Sequence, residues 1–357
     1  MGAVIEATHR YGLAPLNGFA SVVGVVGYLL GGGWGWFVRQ YGLAASSIRS
    51  AEVVTADGRV LHVTEENYAD LLWGLRGGGG NFGIVTAIEI SLYPVRNVFG
   101  GQVYYSIEQG REVMKAFLKW TKTVPVELTS HLRIMHFPPL PVFPPEIRGK
   151  SAVRIAACYN GSAEDGEKWL RPIRTLRAPL LDTFALIPYS QVATIAGDDV
   201  HMEEPAPVHY YTGHKVVKNL TVSDVDTAFD IAANPASGIF VYEIRHYGGV
   251  LADIPEDAMA VSVRDVNFGV YVVAAAPTPS LLEKGAESVD AVIQALEPDA
   301  SVQALPNFLG FNDVGHERTM ATYTPKNYQR LVALKGKYDP QNVFRFNHNI
   351  PPSSLEK

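Results

Sequence analysis

Apolar positions follow two rhythms along the chain, a period of two and a period between three and four, and the switch between them marks the elements. In AEVVTADGRVLHV, β-branched residues flank Asp57-Gly58, a dipeptide suited to tight reversal, so a hairpin of two strands is expected. EENYADLLWGL (Glu65 to Leu75) then predicts a short helix, and in GIVTAIEISLYPV the residues Ile84, Ile88, Ile90 and Leu92 share one face of a strand. From about Val98 to Ala304 the pattern becomes alternating strands and amphipathic helices. Helices are predicted over Glu108 to Thr123, with Val113, Phe117 and Trp120 on one face, and over Ala163 to Leu176, with Ser162 as N-cap. Two more are predicted over Asp224 to Ala233 and Leu281 to Leu296. The strands include HLRIMHF, AVRIAACY, GIFVYEIRHY and VNFGVYVVAA, whose alternation suits a helix-backed antiparallel sheet with one open face. A last helix has Thr324 as N-cap and Pro325 at its first position, passes through Tyr328, Leu331, Val332 and Lys335, and stops at Asp339-Pro340.

Composition narrows the class. In 357 residues, 47% are hydrophobic and 18% charged, which excludes a solvated disordered chain. A net charge of −6 without a Lys/Arg run argues against nucleic acid or an anionic membrane surface as partner. The single Cys, Cys158, permits neither an intramolecular disulfide nor a Cys-based zinc site and reads as a small buried residue of its strand. The ten His show no metal-ligating spacing, so no metal is expected. MGAVIEATHRYG is not a leader, and the longest apolar run, Val22 to Leu30, is broken by glycine, so a cytoplasmic location is expected and no membrane contact.

Glycine concentrates in the first hundred residues, at Gly24, Gly27, Gly31 to Gly33 and Gly35, and again at Gly77 to Gly80 and Gly83. GGGNFG formally matches the dinucleotide fingerprint, but a helix precedes it and a strand follows, the reverse of the Rossmann order. What remains is a row of unhindered backbone N–H groups able to approach an anionic or planar ligand. A second candidate is the strand ending in Glu243, Arg245, His246 and Tyr247: alternation places Glu243, Arg245 and Tyr247 on one face, where a carboxylate and a phenol could share a pocket wall.

Three blocks, GYLLGGGWGWFVRQYGLAASSIRSAEVVTADG, DLLWGLRGGGGNFGIVTAIEISLYPV and NYQRLVALKGKYDPQNVFRFNHNIPP, resemble the FAD-linked oxidases of the berberine-bridge-enzyme-like group, within the vanillyl-alcohol-oxidase or PCMH-type FAD-binding fold. The resemblance implies an α+β chain: residues 1–97 in an N-terminally incomplete FAD domain, 98–304 in an inserted substrate domain of antiparallel sheet backed by helices, and 305–357 in a C-terminal segment returning to the FAD domain. It places Gly24, Gly27, Tyr28, Gly31, Gly32 and Gly33 along FAD. Gly80, Asn81, Gly83, Ile84 and Val85 are implied to hold it through backbone groups, Asn347 and Asn349 to approach the flavin ring, and Val23 to match the oxygen-gatekeeper position.

The departures are informative as well. Members of the group carry roughly a hundred further residues ahead of the position of Met1, an ordinary sub-domain in size, with a pyrophosphate loop and a histidine that bonds the flavin. The cysteinyl attachment position falls at Ala20, so FAD is expected to be non-covalent if bound. Leu305-Pro306-Asn307-Phe308 lacks the tyrosine that serves as base in many members, and Ser46 replaces a usual Asp; Glu243 and Tyr247 become the candidate catalytic residues. The expected activity is oxidation of a C–H bond next to a hydroxyl or amine of a secondary metabolite or sugar, with O2 as acceptor. The competing expectation is a truncated or diverged non-catalytic relative, a binding or structural module or a gene fragment, that no longer retains FAD.

Overall fold

A computed structural model describes residues 1–197 and 208–353. Its centre is an eight-stranded antiparallel sheet, in the order Ala185–Pro188, Asn97–Ser106, Ser151–Tyr159, Leu128–His136, Ile239–His246, Phe268–Ala276, His209–Val217, with Leu181–Asp182 also pairing with Asn97–Ser106. A three-stranded sheet joins Val60–Val63, Ile48–Val54 and Ile84–Ile90, and its hairpin reverses at Gly58 with φ +81°.

Strand alternation divides the large sheet into two faces. On one, Val153, Ile155 and Ala157 pack with Leu132, Ile134, Tyr242 and Ile244 beneath the helices Gly110–Trp120, Ala163–Arg174, Val222–Ala232 and Pro279–Gln294. The other face was expected to be open. Instead Ala156, Cys158 and Tyr247 join the apolar cluster of the glycine-rich N-terminal part, and the polar residues between them are buried too. Period-two polarity here marks a buried polar layer, because a second layer of chain covers this side of the sheet. Arg39 bonds across that junction, donating to the carbonyls of Tyr247, Pro125 and Leu128.

Helix ends follow their caps. Ser162, Thr221, Thr278 and Thr324 each accept a hydrogen bond from the backbone N–H three residues on, starting helices at Ala163, Val222, Pro279 and Pro325. The helix expected from Glu65 begins only at Ala69: Thr64 captures the N–H groups of Glu66 and Asn67, and Tyr68 adopts a left-handed conformation at φ 60°. The N-terminal Gly2–His9 helix is an element that the apolar pattern did not announce. Among the described residues no helix is long and apolar enough to cross a membrane, and no three His, Cys, Asp or Glu side chains converge as a metal site.

The helix Pro325–Tyr338 carries an ammonium into the interior. Lys335 and Asp339 are both fully buried and paired at 2.6 Å, and the same Nζ donates to the carbonyls of Asn81 and Phe344. Asp339 in turn accepts from the N–H groups of Val343 and Phe344. Burial disfavours both charged forms, yet the Lys335 bond and these two N–H donors hold the Asp339 carboxyl below its ordinary range. Lys335→Met strands that carboxylate, and the expected cost is about 3–5 kcal/mol. Urea unfolding measures it; a loss under about 1 kcal/mol would show that the pair is not a structural pin.

Candidate active site

A cavity of about 710 Å³ opens between the glycine-rich half and the buried polar face of the sheet. One wall is the segment Gly18 to Val23 and the helix Val25–Leu30. Along this helix a Cβ added at Gly24 or Gly27 would meet no protein atom within 4 Å, so both positions leave room for a ligand to reach the backbone. The second wall is the loop Gly78 to Asn81, tied to the first by the Gly79 N–H donating to the Leu30 carbonyl at 3.0 Å. The third is the C-terminal segment at Asn347 and His348.

Asn81 welds the last two walls together. Its side chain donates to the Gly78 carbonyl at 2.9 Å and accepts from the Ile350 N–H at 3.0 Å, while its own carbonyl receives the Lys335 ammonium. Asn307 does the same for the first wall from a distance in sequence: its Oδ1 accepts from the Gly33 N–H at 2.5 Å and its Nδ2 donates to the Tyr28 carbonyl at 3.0 Å. A Cβ at Gly31 would lie 2.4 Å from that Nδ2, so the contact requires glycine there. Gly33, at φ +73°, is pressed against Ala44 and the Tyr28 ring.

The expected site residues separate accordingly. Val23, Gly24, Gly27, Tyr28 and Gly31 line the cavity, as do Gly80, Asn81 and Asn347. Gly32 and Gly33 lie behind the first wall. Gly83 is packed on Val53, and Ile84 and Val85 run away along a strand of the small sheet. Asn349 points to a neighbouring cleft with Phe311 and Phe346. Glu243 and Tyr247 do not reach the cavity: they are 1% and 0% exposed, sealed under Arg245 and Trp34. This corrects the expectation that they share a pocket wall, because the sheet face on which they lie is covered.

Arg245 is the member of that strand that does line the cavity. Its Nη2 donates to Glu243 Oε2 at 3.0 Å, and Glu243 is shared with His131, whose Nδ1 lies 2.6 Å from Oε1, and with Arg133, whose Nε lies 3.4 Å from Oε2. Burial alone would raise the Glu243 carboxyl, but Arg133, Arg245 and the His131 bond overcome it and hold it well below the carboxylate range. Burial, aided by Arg133, pushes the His131 imidazole down to about 3, so the ring is neutral and donates from Nδ1. The guanidinium of Arg245 sits among rings, 4.0 Å from the centroid of Phe308 and 5.0 Å from that of Trp34. Burial also keeps the Tyr28 phenol protonated, its pKa well above the ordinary value. His348 is the lining imidazole, with Nε2 3.3 Å from the Leu309 carbonyl. Sequence reasoning placed Arg245 on the right strand face but gave it no role, named Asn307 only for the tyrosine missing beside it, and passed over Trp34, which lies inside the first matching block.

Asn307→Ala should cost about 1–3 kcal/mol through two lost hydrogen bonds and speed amide exchange at Gly33. Unchanged exchange at Gly33 would mean that the first wall holds its shape without Asn307.

Residues 307–351 match the family profile described as "Berberine and berberine like", and residues 1–64 match "FAD binding domain". A berberine bridge enzyme-like protein of Cynodon dactylon, Cyn d 4, is 30% identical over 96% of this chain and 69% of its own. The (R)-6-hydroxynicotine oxidase of Paenarthrobacter nicotinovorans is 28% identical over 98% of this chain and 75% of its own. The crystal structure of 6-hydroxy-D-nicotine oxidase from Arthrobacter nicotinovorans shares the fold, with a TM-score of 0.80 at 24% identity, covering 98% of this chain and 76% of that one. A glycine-lined cavity against an antiparallel sheet and these matches at both ends of the chain lead to one conclusion: the chain belongs to the berberine-bridge-enzyme-like family of FAD-linked oxidoreductases.

Proposed function

We propose that the chain is an oxidase that holds FAD non-covalently in the glycine-lined cavity and removes hydride from a C–H bond next to a hydroxyl or amine of a small molecule. The observation that carries this reading is the open space over Gly24 and Gly27, where the Cα atoms face a cavity rather than protein. The residues fit the cofactor. Gly24, Gly27 and Gly80 admit a flat or phosphorylated ligand to the backbone, Asn347 supplies an amide for a polar ring edge, and Asn81 holds the loop in place through its bonds to Gly78 and Ile350. Ala20 lines the cavity without a thiol, and the chain's one cysteine, Cys158, is buried in the sheet, which supports non-covalent attachment. When bound, FAD supplies a two-electron acceptor for the hydride and a route for those electrons to O2, giving H2O2.

The side chains then divide the work. Trp34 and Phe308 exclude water from the cavity wall, and Arg245 carries its fixed charge. Glu243 and Tyr247 act through these neighbours, Glu243 by orienting Arg245 and Tyr247 by stacking on Trp34 at 5.4 Å between centroids. His348 is the imidazole in place to take the heteroatom proton. For the division into residues 1–97, 98–304 and 305–357, the support is one apolar cluster beneath the sheet's helices and another joining the N-terminal part to the C-terminal tail, the latter also taking in Cys158, Tyr247, Leu251, Met259 and Val261 of the middle segment. Kinship gives the substrate class in breadth: a relative named for 6-hydroxynicotine supports a small heterocyclic metabolite, and one named for a glucooligosaccharide supports a sugar.

Gly27→Val tests the placement. Gly27 lies within the helix Val25–Leu30, where an added Cβ meets no protein atom within 4 Å, so the substitution leaves folding intact. It should weaken FAD binding by about tenfold or more through overpacking of the site. Fluorescence titration with FAD reads the effect; an unchanged affinity would place the cofactor elsewhere.

A further inference from the structure

The cavity's electrostatics are one-sided. Among its lining residues Arg245 bears the formal charge, and no Asp or Glu is present. A guanidinium has five N–H donors. Arg245 uses one hydrogen bond, to Glu243 Oε2, and its Nε is buried without a partner. That carboxylate is itself divided between Arg133, His131 and Arg245, so it does not saturate the guanidinium. The remaining contacts of Arg245 are ring faces: Phe308 at 4.0 Å, Trp34 at 5.0 Å, Tyr271 at 5.2 Å and Phe19 at 5.9 Å. Of these, Phe19, Trp34 and Phe308 line the cavity together with Arg245.

A planar cation with spare donors, set in an apolar frame and 6% exposed, is suited to an anion that brings its own flat apolar body. We propose that Arg245 selects substrates bearing a carboxylate on a planar, largely apolar skeleton, the carboxylate taking the spare N–H groups and the skeleton lying on Phe19, Trp34 and Phe308. The inference rests on the flavoenzyme reading above and makes it more specific. The same arrangement disfavours a protonated amine, which meets a like charge in a desolvated site, and gives a neutral polyol little to replace its lost hydration. Glu243 is a positioning residue here: it fixes the guanidinium from behind and does not touch the ligand.

Three probes of matched shape test this: benzoate, benzamide and benzylamine as its cation, titrated calorimetrically into the chain with and without FAD. Benzoate should bind about tenfold more tightly than benzamide, and benzylamine most weakly. Arg245→Gln should bring benzoate to within about twofold of benzamide while leaving benzamide and FAD affinities unchanged. Should that variant fail to fold, Glu243→Gln with Arg245→Met removes both members of the ion pair and is read in the same way. Absence of a benzoate preference in the unaltered chain, its persistence in the variant, or a parallel fall in FAD affinity would overturn the proposal, the last by assigning Arg245 to the cofactor. A chain that takes up no FAD refutes the flavoenzyme reading instead, and the benzoate titration of the FAD-free chain still decides the role of Arg245.

Discussion

One ammonium group, that of Lys335, holds the cavity together. It is fully buried, and its three donors reach the carboxylate of Asp339, the carbonyl of Asn81 and the carbonyl of Phe344. Those acceptors belong to a helix, a glycine loop and the C-terminal segment, so a single charge registers three pieces of chain whose apolar residues Leu331, Phe82 and Ile350 join one core cluster. From Asn81 the constraint passes onward, through the bonds of its side chain to Gly78 and Ile350, and places Asn347 beside Gly80. Glycine-rich loops have no side chains with which to pack; a buried polar pin supplies the rigidity that packing provides elsewhere.

The opposite wall is organised on the same physical basis. A sheet face covered by a second layer of chain is an expensive place for Glu243, His131, Arg133 and Arg245 unless each finds partners. The Glu243 carboxylate meets that demand by accepting from two guanidiniums and an imidazole, and the neutral state of His131 lightens the burden of charge. The outcome is a wall whose inner layer is polar and rigid and whose outer layer presents one cation among rings. Specificity and stability therefore meet in the same strand, Ile239–His246, which packs Tyr242 and Ile244 beneath the helices on one side and turns Arg245 toward the cavity on the other.

What could be read in the sequence was local. The hairpin at Asp57-Gly58, the caps at Ser162 and Thr324, and the glycine loops announce themselves within a few residues, because turn and cap chemistry is short-range. The family resemblance extended that reading to the cofactor and to eight residues that line the cavity. Long-range pairings left no such trace: Asn307 bonds Gly33 across a separation of 274 residues, and nothing in either neighbourhood requires the other. Glu243 and Tyr247 were misplaced for a similar reason, since alternation assigns residues to a face but does not say what covers that face. The late start of the helix at Ala69 reflects a competition between Thr64 side-chain bonds and helix propensity that composition does not resolve.

The most direct test of a cofactor held without a covalent bond is the visible absorption spectrum of the chain after incubation with FAD and removal of excess, repeated on the supernatant of an acid precipitation. A flavin band that accompanies the native protein and passes entirely into the supernatant is the result expected from a glycine-lined cavity with Ala20 in its wall. A protein that stays colourless after incubation with FAD, or a band that stays with the precipitate, would contradict it.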